Sequence, residues 1–296
     1  MGTNKQRILM KTAEKLIEQA DVIVITAGAG MSVDSKDKDG NNLPDFRGEN
    51  GFWKEYPVLK DKGIDFQEIA NPKQFKKFPK LAWAFYGHRF DLYKNTTPHI
   101  GYDALLEMVK SKKDHFVVTS NVDGAFQKSG FSEDKVYEIH GRINKFQCTE
   151  CNATPWKAPK NLSFNVDPKT LEFKGEIPKC PKCGAIARPN IMMFGDYGFN
   201  STETSKQEKD FNIFMNKYDK GDTNIVVLEF GAGTAIPSIR SIGEYIHKNV
   251  EKATLVRVNP REAQGPKGIV SIEKGAVDAI SENLVSDEIR KMFFMN

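Results

Sequence analysis

The chain has 296 residues, enough for one large domain or a large domain joined to a smaller one. Hydrophobic residues at 39%, charged residues at 28% and a mean hydropathy of −0.50 fit a soluble globular protein, and no apolar run approaches the ~20 residues that span a bilayer. The net charge of +4, from 43 Lys+Arg against 39 Asp+Glu, gives no general electrostatic case for nucleic acid, so neither nucleic acid nor membrane is expected as a partner.

Residues 1–15 lack the apolar core and cleavage pattern of a signal peptide, so an intracellular site is expected, cytoplasmic or, in a eukaryote, nuclear. Apolar residues from Ile8 to Ala20 recur at helical spacing. Val22-Ile23-Val24-Ile25 then forms a short apolar run, the pattern of a strand buried on both faces, and Gly28-Ala29-Gly30 follows. The polar stretch 35–42 reads as a mobile loop. Further strands are expected at 116–118, 225–228 and 255–258, with helices at 102–112, 237–249 and 276–293. Strands alternating with helices predict an α/β fold, a parallel sheet carrying functional loops at its strand C-termini.

Two segments break that rhythm. Residues 46–98 are rich in aromatics and proline, and 144–190 hold all the cysteines. The expected organisation is therefore a Rossmann-like sheet domain from 1–45, 99–143 and 191–296. A smaller helical and zinc-ribbon domain is built from the insertions 46–98 and 144–190.

Cys148 and Cys151 are two residues apart, as are Cys180 and Cys183, with 28 residues between the pairs. Four thiolates close a tetrahedral shell and leave no open position, so the spacing points to structural zinc. Gly28 and Gly30 after a strand invite a diphosphate to backbone N–H groups, although Val33 stands where the full dinucleotide fingerprint has its third glycine. Gly231 and Gly233 form a second such turn, followed by Thr234. His140 lies at a strand end before Gly141, and imidazole's ordinary pKa of ~6.5 suits a general base near neutral pH. The other four histidines lack such a setting. Asn121 and Asp123, after Ser120, would either cap a helix or hydrogen-bond a carboxamide and ribose hydroxyls.

In this order GAGMS, PDFRG, SNVDG, EIHG, two CxxC pairs, RPNIMMFG and a late Val-Asn resemble the sirtuin family of NAD-dependent protein-lysine deacylases, over about residues 20 to 260. The resemblance implies NAD as co-substrate, an acylated-lysine protein or peptide as substrate, and structural zinc. It implies that Ala27, Gly28, Ala29, Gly30 and Met31 hold the diphosphate, and that Asp45, Phe46 and Arg47 form a cofactor loop. Ser120, Asn121 and Asp123 would fix nicotinamide and its ribose; His140, with Asn121 and Asp123, would be catalytic. Gly231, Gly233, Thr234 and Asn259 would hold the adenosine, and Phe194 and Gly195 would line the acyl-lysine tunnel. The family's acyl oxygen attacks the anomeric carbon as nicotinamide leaves, and the base then activates a hydroxyl, giving free lysine and O-acyl-ADP-ribose.

The chain departs from the pattern at Ser120, where the family usually has Gln, in the longer loop 36–42, in the adenosine turn beside Glu229, and at Asp196 in place of Glu. These keep an alternative open, mono-ADP-ribosyl transfer or NAD hydrolysis on the same scaffold. Tyr86 and Arg89 have the Tyr-x-x-Arg spacing of sirtuins that remove acidic acyl groups. On a helix they share a face, so phenol and guanidinium would clamp a distal carboxylate. A monomer is expected.

Overall fold

The computed structural model describes residues 2–44, 49–219 and 221–295. Six strands form the large sheet: β1 (Val22–Ala27), β2 (Asp114–Thr119), β3 (Val136–Glu138), β7 (Ile225–Phe230), β8 (Ala253–Val258) and β9 (Val270–Ile272). Their order is β3-β2-β1-β7-β8-β9 and every pairing is parallel. The chain builds outward from β1 to β3, then restarts beside β1 at β7 and runs the other way. The switch point between β1 and β7 is where an open α/β sheet leaves a crevice at its strand C-termini.

Alternate side chains of each strand serve opposite faces. Ile23, Ile25, Val117 and Leu228 pack into a core under the helices Gly2–Gln19 and Ile100–Lys110. Val22, Val24, Phe116 and Leu255 pack into a second core that takes in Phe211, Phe214 and Ile246 of the helices Thr202–Tyr218 and Ser238–Asn249. Burial on both faces explains why β1 and β7 read as unbroken apolar runs.

A third core is separate and strongly aromatic. It joins the helix Pro79–Asn95 and shorter helices between residues 49 and 77 to a three-stranded antiparallel sheet, order β5-β4-β6. Its strands are β4 (Gly141–Cys148), β5 (Trp156–Lys157) and β6 (Ala187–Ile191). Trp83 is fully buried, stacks on Phe164 with centroids 5.0 Å apart and donates its indole N–H to Ala187 O at 2.9 Å. Trp83, with Phe90 packed on Phe146 beside it, joins the helix to the sheet and is satisfied in both its apolar body and its polar tip.

Three details differ from the sequence reading. The small sheet begins at Gly141, directly after His140, three residues ahead of the expected boundary. The helix expected over 276–293 is broken: a short helix runs into a π turn at Ile280–Leu284, Val285 is extended, and Ser286 caps a new helix by accepting from Ile289 N–H. The loop 35–42 is tied rather than loose. Lys36 and Thr97 exchange backbone hydrogen bonds of 3.0 and 2.8 Å, and the Asp37 carboxylate accepts the N–H groups of Asp39 and Asn41.

Trp83→Ala is expected to cost about 3–5 kcal/mol in urea denaturation, because it leaves a large cavity between helix and sheet. A loss below about 1 kcal/mol would mean that the small domain's stability does not rest on this contact.

Candidate active site

The turns after β1 and β7 touch. Gly28 N–H donates to Phe230 O at 2.9 Å and Gly30 N–H to Gly231 O at 3.0 Å. A Cβ on Gly28 would lie 2.7 Å from Gly231 O, and one on Gly30 would lie 2.7 Å from Gly231 Cα. Gly231 itself has φ +59, where a side chain is strained, and its Cβ would meet Met31 N at 2.3 Å. The glycines are thus required by backbone-to-backbone packing. The N–H groups of Gly28 and Gly30 both donate within the paired turns. Ala27 and Met31 are buried behind the turn; of the residues 27–31, Ala29 lines the cavity.

His99, passed over in the sequence, braces this turn. Its Nδ1 accepts Gly101 N–H at 3.1 Å, so the ring proton sits on Nε2, which donates to Met31 O at 2.7 Å. Burial lowers its pKa, keeping the ring neutral. Ser32 is the second group without an assigned role. Its Oγ donates to Asp123 Oδ2 at 2.7 Å and accepts Asn121 Nδ2 at 3.1 Å. With its one proton committed to the carboxylate, Ser32 takes the Tyr102 hydroxyl as donor at 2.9 Å. Burial pushes the Tyr102 phenol well above its usual pKa, so it stays protonated for that role.

Asn121 also donates to Gly28 O at 3.0 Å. Among the described residues nothing donates to its Oδ1, which leaves an amide oxygen for a carboxamide. Asp123 Oδ1 accepts Ala125 N–H at 2.9 Å, but the cap position of the short helix Ala125–Lys128 is Gly124, so the capping alternative offered by the sequence is not realised by Asp123.

A cavity of about 260 Å³ opens at this point, lined by Ala29, Ser32, Ser120, Asn121, Asp123 and His140 from the large domain, and by Tyr86, Arg89, Tyr93 and Phe194 from the small-domain side. The Arg89 guanidinium lies 5.4–5.7 Å from the ring centroids of Phe66, Phe85 and Tyr93 and donates to Tyr93 Oη at 2.8 Å. Burial raises the pKa of the Tyr86 phenol, so it remains a neutral donor. Gly195 has φ +64 and turns the chain beyond Phe194. Asp196 holds that turn through a buried pair with Arg188, at 2.8 and 2.9 Å, and by accepting Met193 N–H at 3.2 Å. Asp45, Phe46 and Arg47 lie outside the described residues.

Gly231, Gly233, Thr234 and Asn259 gather at the ends of β7 and β8, beyond this cavity. Asn259 Nδ2 donates to Ala232 O at 3.1 Å, while its Oδ1 accepts Arg261 and Glu262 N–H. Glu262 in turn accepts Thr234 N–H at 3.0 Å. Glu229, unexplained in the sequence, is fully buried and paired with the equally buried Arg257, which donates to Gln264 O at 2.8 Å. Arg240 donates to Glu262 O at 2.7 Å and Gln264 O at 2.5 Å. Two guanidinium groups thus fasten the 259–265 loop against the second glycine turn.

The four cysteine sulfurs lie within 4.8 Å of one another, with Cys148–Cys183 at 3.5 Å and Cys151–Cys180 at 3.7 Å. Tetrahedral zinc with Zn–S of ~2.3 Å puts its sulfurs ~3.8 Å apart, so the donor set fits the ion. The N–H groups of Glu150 and Cys151 both point at Cys148 Sγ at 3.3 Å, as thiolate stabilisation requires.

Residues 28–226 match the Sir2 family. A protein of Pyrococcus furiosus named NAD-dependent protein deacylase is 27% identical over 268 residues, covering 88% of this chain and 95% of that one. One of the same name from Thermococcus kodakarensis is 34% identical over 186 residues, 62% of this chain and 63% of its own length. In fold, a Sir2 homologue solved with NAD superposes with a TM-score of 0.67 at 22% identity, over 96% of this chain and 94% of that one. A Sir2 protein solved with a deacetylated peptide and 3′-O-acetyl-ADP-ribose gives 0.65 at 21% identity, over 94% and 99%.

Two outcomes are expected here. Cys180→Ser loses bound zinc, measured by atomic absorption, together with the cooperative unfolding of the small domain; unchanged zinc content would remove the four-thiolate assignment. His99 carries a folded-state pKa below its ordinary 6.5, so its contribution to stability is complete above about pH 6.5 and is lost as pH falls toward the folded value. His99→Asn, which can still accept Gly101 N–H, should flatten the decline in unfolding free energy between pH 7 and 5; an unchanged slope would show that His99 does not titrate on unfolding.

Proposed function

We propose that this chain, which belongs to the Sir2 family, is an NAD-dependent protein-lysine deacylase that transfers the acyl group of a modified lysine to ADP-ribose. The observation that carries this reading is a cavity at the sheet's switch point, whose walls hold His140, Asn121 and Asp123 on one side and Tyr86, Arg89 and Phe194 on the other. Bound NAD supplies an electrophilic ribose carbon and nicotinamide as leaving group.

This chain's own residues then divide the work. Asn121, anchored to Gly28 O and Ser32, presents its free amide oxygen to the carboxamide. Asp123, oriented by Ser32, faces the ribose hydroxyls. His140 removes a proton from a ribose hydroxyl as the acyl group moves. Phe194 and the aromatic wall exclude water from the reacting centre. The 231–234 turn, Asn259 and Glu262 receive the adenosine, pre-shaped by Arg240 and Arg257.

Arg89 and Tyr86 extend the reading to the acyl group. A guanidinium and a neutral phenol in one cavity suit a terminal carboxylate, as in succinyl- or malonyl-lysine. Arg89 is already stacked on aromatic rings, so its position is set before substrate arrives.

Mass spectrometry of matched acetyl- and succinyl-lysine peptides with NAD tests both levels. Loss of the acyl mass from peptide with formation of O-acyl-ADP-ribose is expected, with succinyl preferred. Arg89→Met should lower kcat/KM for the succinyl peptide about 10- to 100-fold, the worth of one charge-assisted contact, and spare the acetyl peptide. Equal loss on both peptides would remove the acidic-acyl reading. Nicotinamide release with the acyl group retained would move the assignment to ADP-ribosyl transfer or NAD hydrolysis.

A further inference from the structure

His140 occupies a special place in the chain. β3 ends at Glu138 in the large parallel sheet, and β4 starts at Gly141 in the small antiparallel sheet. The base therefore sits on the two-residue crossing between the two halves of the molecule. Gly141 has φ +75, and a Cβ there would lie 2.1 Å from Asn190 O, so the crossing turns through a glycine pressed against β6.

A buried ion pair spans this crossing. Arg142 Nε donates to both Glu138 oxygens at 2.8 and 2.7 Å, and Nη2 lies 2.6 Å from Oε2. Both residues are buried, at 4% and 2% exposure. Arg142 reaches a second carboxylate, Glu133, at 3.0 Å. Glu138 is fixed from the other side, where its N–H donates to Gln207 Oε1 of the helix Thr202–Tyr218. The stem of Arg142 also reaches the nicotinamide-side loop. Its Cδ lies 3.6 Å from the position of a Cβ on Gly124, and the next residue, Ile143, donates its N–H to Val122 O at 3.0 Å.

We infer that Arg142 is a positioning residue: paired with Glu138 across the crossing, it holds His140 in register with Asn121 and Asp123. The inference rests on the reading of His140 as the base. The pair adds a side-chain link to the backbone bonds on either side of His140. Ile139 N–H is held by Thr119 O at the end of β2, and His140 O accepts Met192 N–H beyond β6. Those two bonds belong to different domains, and among the described residues the Glu138–Arg142 pair, with Glu133, ties the strand before His140 directly to the strand after it by side chains. Together with the Ile143 N–H bond to Val122 O, the pair resists a shift between the domains that would move His140 relative to the loop presenting Asn121 and Asp123. Displacement of a base by about 1 Å is enough to cost about 100-fold in rate.

The test uses Arg142→Lys, which keeps the charge but loses the two-pronged contact. A charge-free double variant, Glu138→Gln with Arg142→Gln, guards against misfolding from a lone buried charge. Acyl transfer at saturating substrates should fall about tenfold or more in both, while ADP-ribose affinity by calorimetry and exchange of labelled nicotinamide into NAD stay within about threefold. In the unliganded protein the His140 imidazole NMR signal, assigned by its loss in His140→Ala, should change from one sharp resonance to a broadened or doubled one. Unchanged acyl transfer in both variants would overturn the inference. So would a parallel fall in transfer, exchange and ADP-ribose affinity, which marks a purely structural pair. Native enzyme that binds ADP-ribose but shows neither exchange nor transfer would overturn the deacylase reading instead, and the role of His140 with it.

Discussion

The backbone contact between the turn after β1 and the turn after β7 governs the rest of the molecule. It is made at the switch point of the sheet, where two strands remote in sequence lie side by side and end together. Glycine is forced at Gly28, Gly30 and Gly231 because any side chain would enter the opposing backbone. Once the turns are locked, Gly28 O is in place for Asn121, Met31 O for His99, and Ser32 for Asp123 and Tyr102. The side chains of the loop carrying Asn121 and Asp123 are thus oriented largely by the strand turn next to it.

The second constraint is that the site is made of two cores. The aromatic core of the small domain supplies Tyr86, Arg89 and Phe194, and the sheet domain supplies the cofactor side. A cluster of thiolates suits a structural ion because four donors complete the shell; it stiffens the end of β4 and the approach to β6, which carry the chain from His140 to Phe194. Burying charge is costly unless it is well paired, and this chain does so at Glu138–Arg142, Arg188–Asp196 and Glu229–Arg257, each beside a turn that lines or adjoins the site.

Much of the frame was legible in the sequence because both-face burial writes an uninterrupted apolar run, which is how β1, β2, β7 and β8 announce themselves. The short strand β9 carries too few residues for a period to register, and β4 mixes buried Arg142, Lys145 and Gln147 with its apolar residues, which hides it. The four-cysteine cluster was readable from spacing alone. His99 was not, since a buried histidine used as a backbone brace leaves no pattern; its partner is Met31, remote in the chain. Glu229 and Arg257 look like surface residues misplaced in apolar strands until the register sets them side by side. The break near Ser286 was in principle visible as a cap signal, but apolar periodicity on either side of it runs on.

The most direct measurement is a crystal structure of the protein with ADP-ribose. The ligand is expected across the switch point, its distal ribose facing His140 and Asp123 and its adenosine against the 231–234 turn, Asn259 and Glu262, with the paired glycine turns unmoved. ADP-ribose bound elsewhere, or a distal ribose out of reach of His140, would contradict it.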